Sequence, residues 1–329
     1  MSAAGGHFGP ARVRAARPVA DAVRLLEIEP EGGPRPYPTG AHLDVAVTVG
    51  ELPDVRSYSL VGEGPADGAY RIAVKRLPDS RGGSRFMHTL AEGDPIEVSA
   101  PQSHFEIQYG RPEYLLVAGG IGITPMVGMA AALARHERPF RLLYAGRSSA
   151  AMPFAAELSE QLGERLELFC SDDGTRLDLA TEIARLHPEG DLYVCGPLRL
   201  MDAVRAEWAA QGRPAARLRF ETFGSSGRLP TEPFDVHVRE LGRDVRVPGD
   251  RTMLEALRAA GVEVMWDCLR GECGLCMVDV IEAEGRLDHR DVFLSEDEQA
   301  LGTKLCACVS RAAGGAVTVD TGFRPGPAR

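Results

Sequence analysis

Apolar and polar positions along the chain fall into three successive textures. Over residues 1–108, short runs such as His42-Leu43-Asp44-Val45-Ala46-Val47 and Tyr70-Arg71-Ile72-Ala73-Val74 have the length and β-branched content of strands. Turns rich in glycine, proline and aspartate separate them, at residues 63–68 and 79–83. Many short strands with such punctuation predict an antiparallel β-barrel. Near Pro112 the rhythm changes to continuous apolar runs, as expected of strands covered on both faces: Tyr114-Leu115-Leu116-Val117-Ala118, Phe140–Tyr144, Leu166–Cys170 and Asp191–Cys195. Ala-rich helical stretches, Ala130–Arg135 and Leu198–Ala210, lie between or after them, so residues 109–225 are expected to form an α/β domain around a parallel sheet. After Ser225-Ser226-Gly227, a linker by composition, residues 226–329 begin with the alternating Pro233–Val238 and a short helix at Met253–Leu257. This third part is expected to be an α+β fold.

Composition narrows the function classes. The 329 residues suffice for two or three domains, each with its own core. With 44% hydrophobic and 26% charged residues the chain reads as soluble and globular. A net charge of -10 disfavours nucleic acid and anionic membrane surfaces as partners. From Thr231 onward there are 18 acidic against 12 basic side chains, so the third part carries most of the negative charge. Residues 1–17 show scattered arginines and no apolar run of signal-peptide length. Leu115–Ala134 is uncharged, but Gly119, Gly120, Gly122 and Pro125 divide it into strand, turn and helix rather than a membrane span. A cytoplasmic location is expected.

Five of the seven cysteines fall between Cys268 and Cys308, which suggests a metal site rather than a disulfide framework. Cys268, Cys273 and Cys276 form C-x4-C-x2-C with Gly271 and Gly274 inside the loop. This is the plant-type [2Fe–2S] spacing. Thiolates must converge on two irons while backbone N–H groups face the sulfurs, and glycines permit both. Zinc modules repeat paired C-x2-C units or add histidines, a pattern this segment lacks. Spacing alone leaves Cys306 and Cys308 both open as the fourth ligand. His289, in Asp288-His289-Arg290-Asp291, has no second histidine nearby and is expected to be a salt-bridged surface turn residue rather than a Rieske or zinc ligand.

Two further constellations carry chemistry. In Arg56-Ser57-Tyr58-Ser59, strand alternation puts Arg56 and Tyr58 on one face and Ser57 on the other. A guanidinium suits a phosphate through paired donors and an aromatic ring suits the face of a flat cofactor, with a buried-edge tyrosine beside a surface arginine as the alternative. Gly82-Gly83-Ser84 offers successive N–H donors and a hydroxyl for an anion, and Lys75 on the preceding strand adds charge. Gly119-Gly120-Ile121-Gly122-Ile123-Thr124-Pro125 follows a strand and opens a helix, so a pyrophosphate can approach the backbone. Arg147, alone among neighbours after the second strand of that domain, and Asp172-Asp173 in the next loop favour NADH over NADPH.

Taken together these motifs resemble the phthalate dioxygenase reductase family, within the ferredoxin–NADP⁺ reductase superfamily, over nearly the whole chain. R-x-Y-S, G-G-x-G-[IV]-[TS]-P and the Leu305-Cys306-Ala307-Cys308-Val309-Ser310-Arg311-Ala312 segment carry the resemblance. It implies FMN as the flavin, although residues alone leave FAD open, and a β-grasp ferredoxin fold for residues 226–329. It implies Ser84 as a phosphate contact, Cys308 as the fourth ligand, and Cys195-Gly196-Pro197 beside the nicotinamide. Phe223, in Glu221-Thr222-Phe223, would lie near the flavin, with Ser59, Thr124, Cys195 and Phe223 around the reacting atoms. The implied activity is electron transfer from NADH through FMN to the cluster and on to a Rieske-type terminal oxygenase, or alternatively to a cytochrome P450. A redox sensor without turnover would leave the R-x-Y-S and Gly-Gly-x-Gly segments without a purpose.

Overall fold

The computed structural model describes residues 8–49, 52–77, 82–223 and 231–323. The expected linker at Ser225–Gly227 and the turn residues Asp79–Arg81 lie outside them. The chain divides into two compact units, Met1–Glu221 and Thr222–Arg329.

The first unit opens with the barrel: β1 (Gly9–Ala20), β2 (Val23–Pro30), β3 (Ala41–Val49), β4 (Leu52–Ser59), β5 (Tyr70–Lys75), α1 (Gly83–Thr89), β6 (Pro95–Val98) and β7 (Gln102–Ser103). The strands form one sheet in the order β4-β3-β6-β1-β2-β5, with β7 beside β3 and all pairings antiparallel. A Leu60–Ile72 bridge and a 2.8 Å bond from the Val61 N–H to the Arg71 carbonyl join the two ends of that order and close the barrel. Alternation on β3 buries Leu43, Val45 and Val47, which meet Leu26, Ile28 and Ile72 in the interior. Burying one such side chain is worth about 1.5–3 kcal/mol. Helix α1 drives Met87 into the same core, which sets its first residues against β3 and β4.

Gly9–Ala20, Ala- and Arg-rich with two prolines, is a twelve-residue strand. Its intrinsic β-propensity is poor. Pairing on both sides, to β2 and β6, supplies the order, and register shifts after Val13 and at Pro18 accommodate the irregular stretches.

The rest of the first unit alternates strand and helix: β8 (Tyr114–Gly119), α2 (Ile123–Arg135), β9 (Phe140–Gly146), α3 (Ala155–Leu162), β10 (Leu166–Cys170), α4 (Leu179–Arg185), β11 (Asp191–Cys195), α5 (Leu198–Ala210) and β12 (Leu218–Glu221). The order β10-β9-β8-β11-β12 is parallel throughout. Strand order reverses between β8 and β11, the crevice where open α/β sheets bind ligands. Helix α2 lies against the barrel at Gly128, where an added Cβ would sit 2.2 Å from the Gly62 carbonyl oxygen.

The second unit contains β13 (Phe234–Val238), β14 (Arg243–Val247), α6 (Met253–Ala259), β15 (Met277–Ala283), β16 (Arg286–Asp288), α7 (Glu296–Leu301), β17 (Lys304–Cys306), β18 (Arg311–Ala313) and β19 (Ala316–Asp320). A mixed five-stranded sheet, β14-β13-β19-β15-β17, buries Phe234, Val236 and Val319 against Leu254 and Leu257 of α6. Helix α6 begins in a capping box: the Thr252 hydroxyl accepts from the Glu255 N–H, and the Glu255 carboxylate accepts from the Thr252 N–H. Among the described residues, no helix is long and apolar enough to cross a membrane.

Candidate functional site

On β4 the expected alternation holds. Ser57 points to the outer face and its hydroxyl donates to Asp44 at 2.5 Å. Arg56 and Tyr58 share the other face, opposite Val45 and Leu43 in register. Burial pushes the Tyr58 phenol well above its ordinary range, so it stays neutral. Helix α1 brings Gly83 to Arg56: a Cβ at residue 83 would meet the guanidinium stem at 2.7–2.8 Å. Gly82 takes a left-handed φ of 112°, and the Ser84 hydroxyl accepts from the Leu77 N–H just beyond Lys75. Arg56 Nη2 is buried and ion-paired with the Asp54 carboxylate at 2.6 Å. A buried guanidinium beside a glycine-lined turn fits an anionic phosphate. Arg56→Ala is expected to weaken flavin retention by about 3 kcal/mol, roughly a hundredfold in Kd, read as flavin content after dialysis.

At the strand-order reversal two loops meet backbone to backbone. A Cβ at Gly122 would stand 2.2 Å from the Cys195 carbonyl oxygen, one at Gly119 would strike Pro197 and Leu200, and one at Gly196 would approach Gly119. Gly120 differs: its φ is +55° and nothing lies within 4 Å of its open side, which leaves room for a pyrophosphate. Thr124 is buried and its hydroxyl donates to the Ile121 carbonyl, fixing the turn, with Pro125 buried beside it in the first turn of α2. Arg147 is exposed after β9, and its carbonyl accepts from the Asp172 N–H, so the acidic turn sits directly beside it.

The barrel and the nucleotide sheet converge at one residue that motif reading did not place in the site. The Ser59 hydroxyl donates to the Glu221 carboxylate at 3.0 Å, and both residues are buried. Glu221 is also the register partner of Cys195 across β12 and β11. Ser59, Glu221, Cys195 and Gly122 thus form one contiguous set. The signal was present in Glu221-Thr222-Phe223, but only Phe223 was taken from it. Phe223 itself falls in the second unit.

In the second unit the cysteine loop presents amides to sulfur. The Arg270 and Glu272 N–H groups donate to Cys268 Sγ at 3.5 and 3.4 Å. Gly271 and Gly274 take φ of +75° and +74°, as the loop requires. Cys268 and Cys273 hydrogen-bond each other, and the Cys306 and Cys308 thiols both donate to Cys276, which holds the Cys276 thiol well below its usual range. Among the described residues no three His, Cys, Asp or Glu side chains close on a single ion position. The thiols instead stand as two neighbouring groups, Cys268 with Cys273 and Cys276 with Cys306 and Cys308. Cys308 Sγ also receives the Gly271 N–H and feels Cys268, while Cys306 ends β17 and has Cys276 and Asp291 among its main neighbours. The Asp288–Asp291 turn is not a surface patch: all four side chains are buried.

Comparison with known proteins gives the same three parts. An oxidoreductase FAD-binding domain model matches residues 12–107, an oxidoreductase NAD-binding domain model residues 116–206, and a 2Fe-2S iron-sulfur cluster binding domain model residues 236–313. The chain is 37% identical to phthalate dioxygenase reductase of Burkholderia cepacia over 89% of this chain and 90% of that protein. The chain belongs to the phthalate dioxygenase reductase family. A solved phthalate dioxygenase reductase, described as a modular structure for electron transfer from pyridine nucleotides to [2Fe–2S], superposes with a TM-score of 0.77. It is 34% identical, over 95% of this chain and 98% of that one. An intact type IV self-sufficient cytochrome P450 monooxygenase also matches, with a TM-score of 0.67 and 33% identity, over 97% of this chain but 42% of that one. As a member of the phthalate dioxygenase reductase family, the chain is an NADH-dependent flavin and iron–sulfur oxidoreductase, and its cofactors are a flavin, NAD(H) and a [2Fe–2S] cluster. A groove of about 410 Å³ in the first unit is lined by Arg17, Leu25, Val61, Arg71 and Phe154.

Proposed function

We propose that this chain is the reductase component of a multicomponent oxygenase and delivers electrons singly to a Rieske-type terminal oxygenase. The observation that carries the reading is the presence, in one polypeptide, of a flavin cradle at Arg56, a nucleotide turn at the sheet's reversal point and an amide-lined thiol loop. We assign residues 1–108 to the flavin domain, 109–225 to the nucleotide domain and 226–329 to the ferredoxin domain. When bound, FMN and NADH supply the hydride chemistry and the cluster supplies one-electron transfer.

The chain's own residues bind and orient. Arg56, Gly82, Gly83 and Ser84, with Lys75 near them, hold the flavin phosphate, and Tyr58 covers the ring while Ser57 anchors β4 to Asp44. Ser59, fixed by Glu221, presents its hydroxyl at the reacting edge. Gly119, Gly120, Gly122, Thr124 and Pro125 form the pyrophosphate turn, and Gly196 and Pro197 keep bulk away from the nicotinamide. Cys195 holds its position beside Glu221. Arg147 stands as a single arginine, and Asp172 and Asp173 beside it repel a 2′-phosphate, favouring NADH. Cys268, Cys273, Cys276 and Cys308 ligate the cluster. All seven thiols are free of disulfides, which supports the cytoplasm as the compartment.

The match to a self-sufficient P450 monooxygenase supports a second reading, in which the acceptor is a cytochrome P450. Reduction of a purified Rieske oxygenase and of a purified P450 by NADH and this chain, each followed at its own absorbance, separates the two. The acidic third part favours an acceptor with a basic face, so the rate of acceptor reduction is expected to fall as salt rises past about 0.1 M, where charges beyond about 10 Å are screened. A salt-independent rate contradicts that docking.

A further inference from the structure

The Asp288-His289-Arg290-Asp291 turn has no part in the reading above, yet it is among the most buried charged segments of the chain. Its side chains are 2%, 8%, 7% and 3% exposed. Burying four ionisable groups is costly unless they are paired and hydrogen-bonded. Asp288, Arg290 and Asp291 are: Arg290 Nε and Nη2 each lie 2.7 Å from an Asp288 oxygen, and the Arg290 N–H donates to Ser310 Oγ at 3.0 Å. Asp291 receives the Ser310 hydroxyl at 2.8 Å and the Leu294 N–H at 3.0 Å, with His289 Nδ1 3.6 Å from its carboxylate.

The same turn grips the cysteine loop on its other side. The Val292 and Phe293 N–H groups both donate to the Gly271 carbonyl, at 3.1 and 3.2 Å. A Cβ on Gly271 would stand 2.9 Å from Asp291 Cα and Cβ, and one on Gly274 would enter the Phe293 ring. One turn therefore touches both glycines between Cys268 and Cys276 and, through Ser310, the segment that follows Cys308.

We propose that Asp291 is a positioning residue: its buried carboxylate locks the Cys268–Cys276 loop to the Cys308–Ser310 segment and so sets the geometry in which the four thiolates receive the cluster. The inference rests on the ligand reading above. Four ligands from two separated stretches converge only if something holds the stretches in register, and partners one shell out from a metal do this. Burial pushes the Asp291 carboxyl up, but the contacts from His289, the Leu294 N–H and Ser310 more than reverse it, so it remains ionised. A fixed negative charge near the thiols also favours the oxidised cluster.

The test uses the full chain purified without oxygen. Asp291→Ala is expected to lose cluster absorbance under EDTA about tenfold faster than the parent chain, with unchanged flavin content. Asp291→Asn keeps an acceptor for Ser310 and is expected to restore retention while moving the cluster midpoint potential positive, because the charge is gone. Ser310→Ala, which removes the bridging hydroxyl, is expected to shorten retention too and carries the test if Asp291→Ala does not fold. Parent-like retention, EPR g-values and potential in the Asp291 and Ser310 variants overturn the proposal. Cys308→Ser separates the premises: a lost cluster there with parent-like Asp291 variants overturns the clamp alone, and a full cluster there overturns the ligand set.

Discussion

Replacing Cys308 by serine is expected to abolish the visible iron–sulfur absorbance and leave little bound iron, whereas Cys306→Ser is expected to keep both. The two thiols are two residues apart and both buried, so accessibility does not distinguish them. Direction does. Cys308 Sγ receives the Gly271 amide and lies in the field of Cys268, in line with the loop that carries the other ligands. Cys306 closes β17 opposite Met277, and its thiol is packed among core side chains near Asp291. A cluster sulfur environment needs N–H donors, and Cys308 shares the loop's supply through Gly271. Iron and sulfide analysis with the absorbance spectrum of each variant is the measurement. Loss of the cluster in Cys306→Ser with retention in Cys308→Ser reverses the assignment.

The second large effect is expected at Gly122. An added methyl would stand 2.2 Å from the Cys195 carbonyl oxygen, 2.5 Å from its carbon and 2.7 Å from the Gly196 nitrogen. All three are backbone atoms of the facing loop, and no rotamer change relieves the overlap. Gly122→Ala therefore has to push the two loops apart where the nucleotide binds and where Cys195 meets Glu221. A displacement near 1 Å at a reacting centre costs about a hundredfold. NADH-driven reduction of the flavin, followed by stopped-flow absorbance, is expected to slow by at least that factor, while flavin and iron contents stay at parent values. A rate within a few-fold of the parent contradicts the close loop contact as a determinant of hydride geometry.

Much of this site was legible from local pattern, because its parts are local. The apolar runs at Tyr114–Ala118 and Asp191–Cys195 became the central strands β8 and β11, since runs this short suit a strand covered on both faces. R-x-Y-S showed its two faces because alternation is a property of the strand itself. What stayed hidden depends on residues distant in sequence. Ser59 meets Glu221 across 162 positions, which no spacing rule encodes. Gly9–Ala20 is a strand because two neighbours pair with it, not because alanine and arginine prefer one. The Asp288–Asp291 turn carries charges that pattern assigns to the surface, and only the tertiary partners Ser310 and Gly271 explain its burial.

The central claim is that flavin and cluster sites in one polypeptide form a single electron path. Its most direct test is anaerobic rapid mixing of the holoprotein with NADH, following flavin absorbance and the EPR signal of the reduced cluster at several protein concentrations. The account predicts flavin bleaching first, then a cluster signal whose rate constant does not change with protein concentration. A cluster that stays oxidised, or one reduced at a rate proportional to protein concentration, contradicts it.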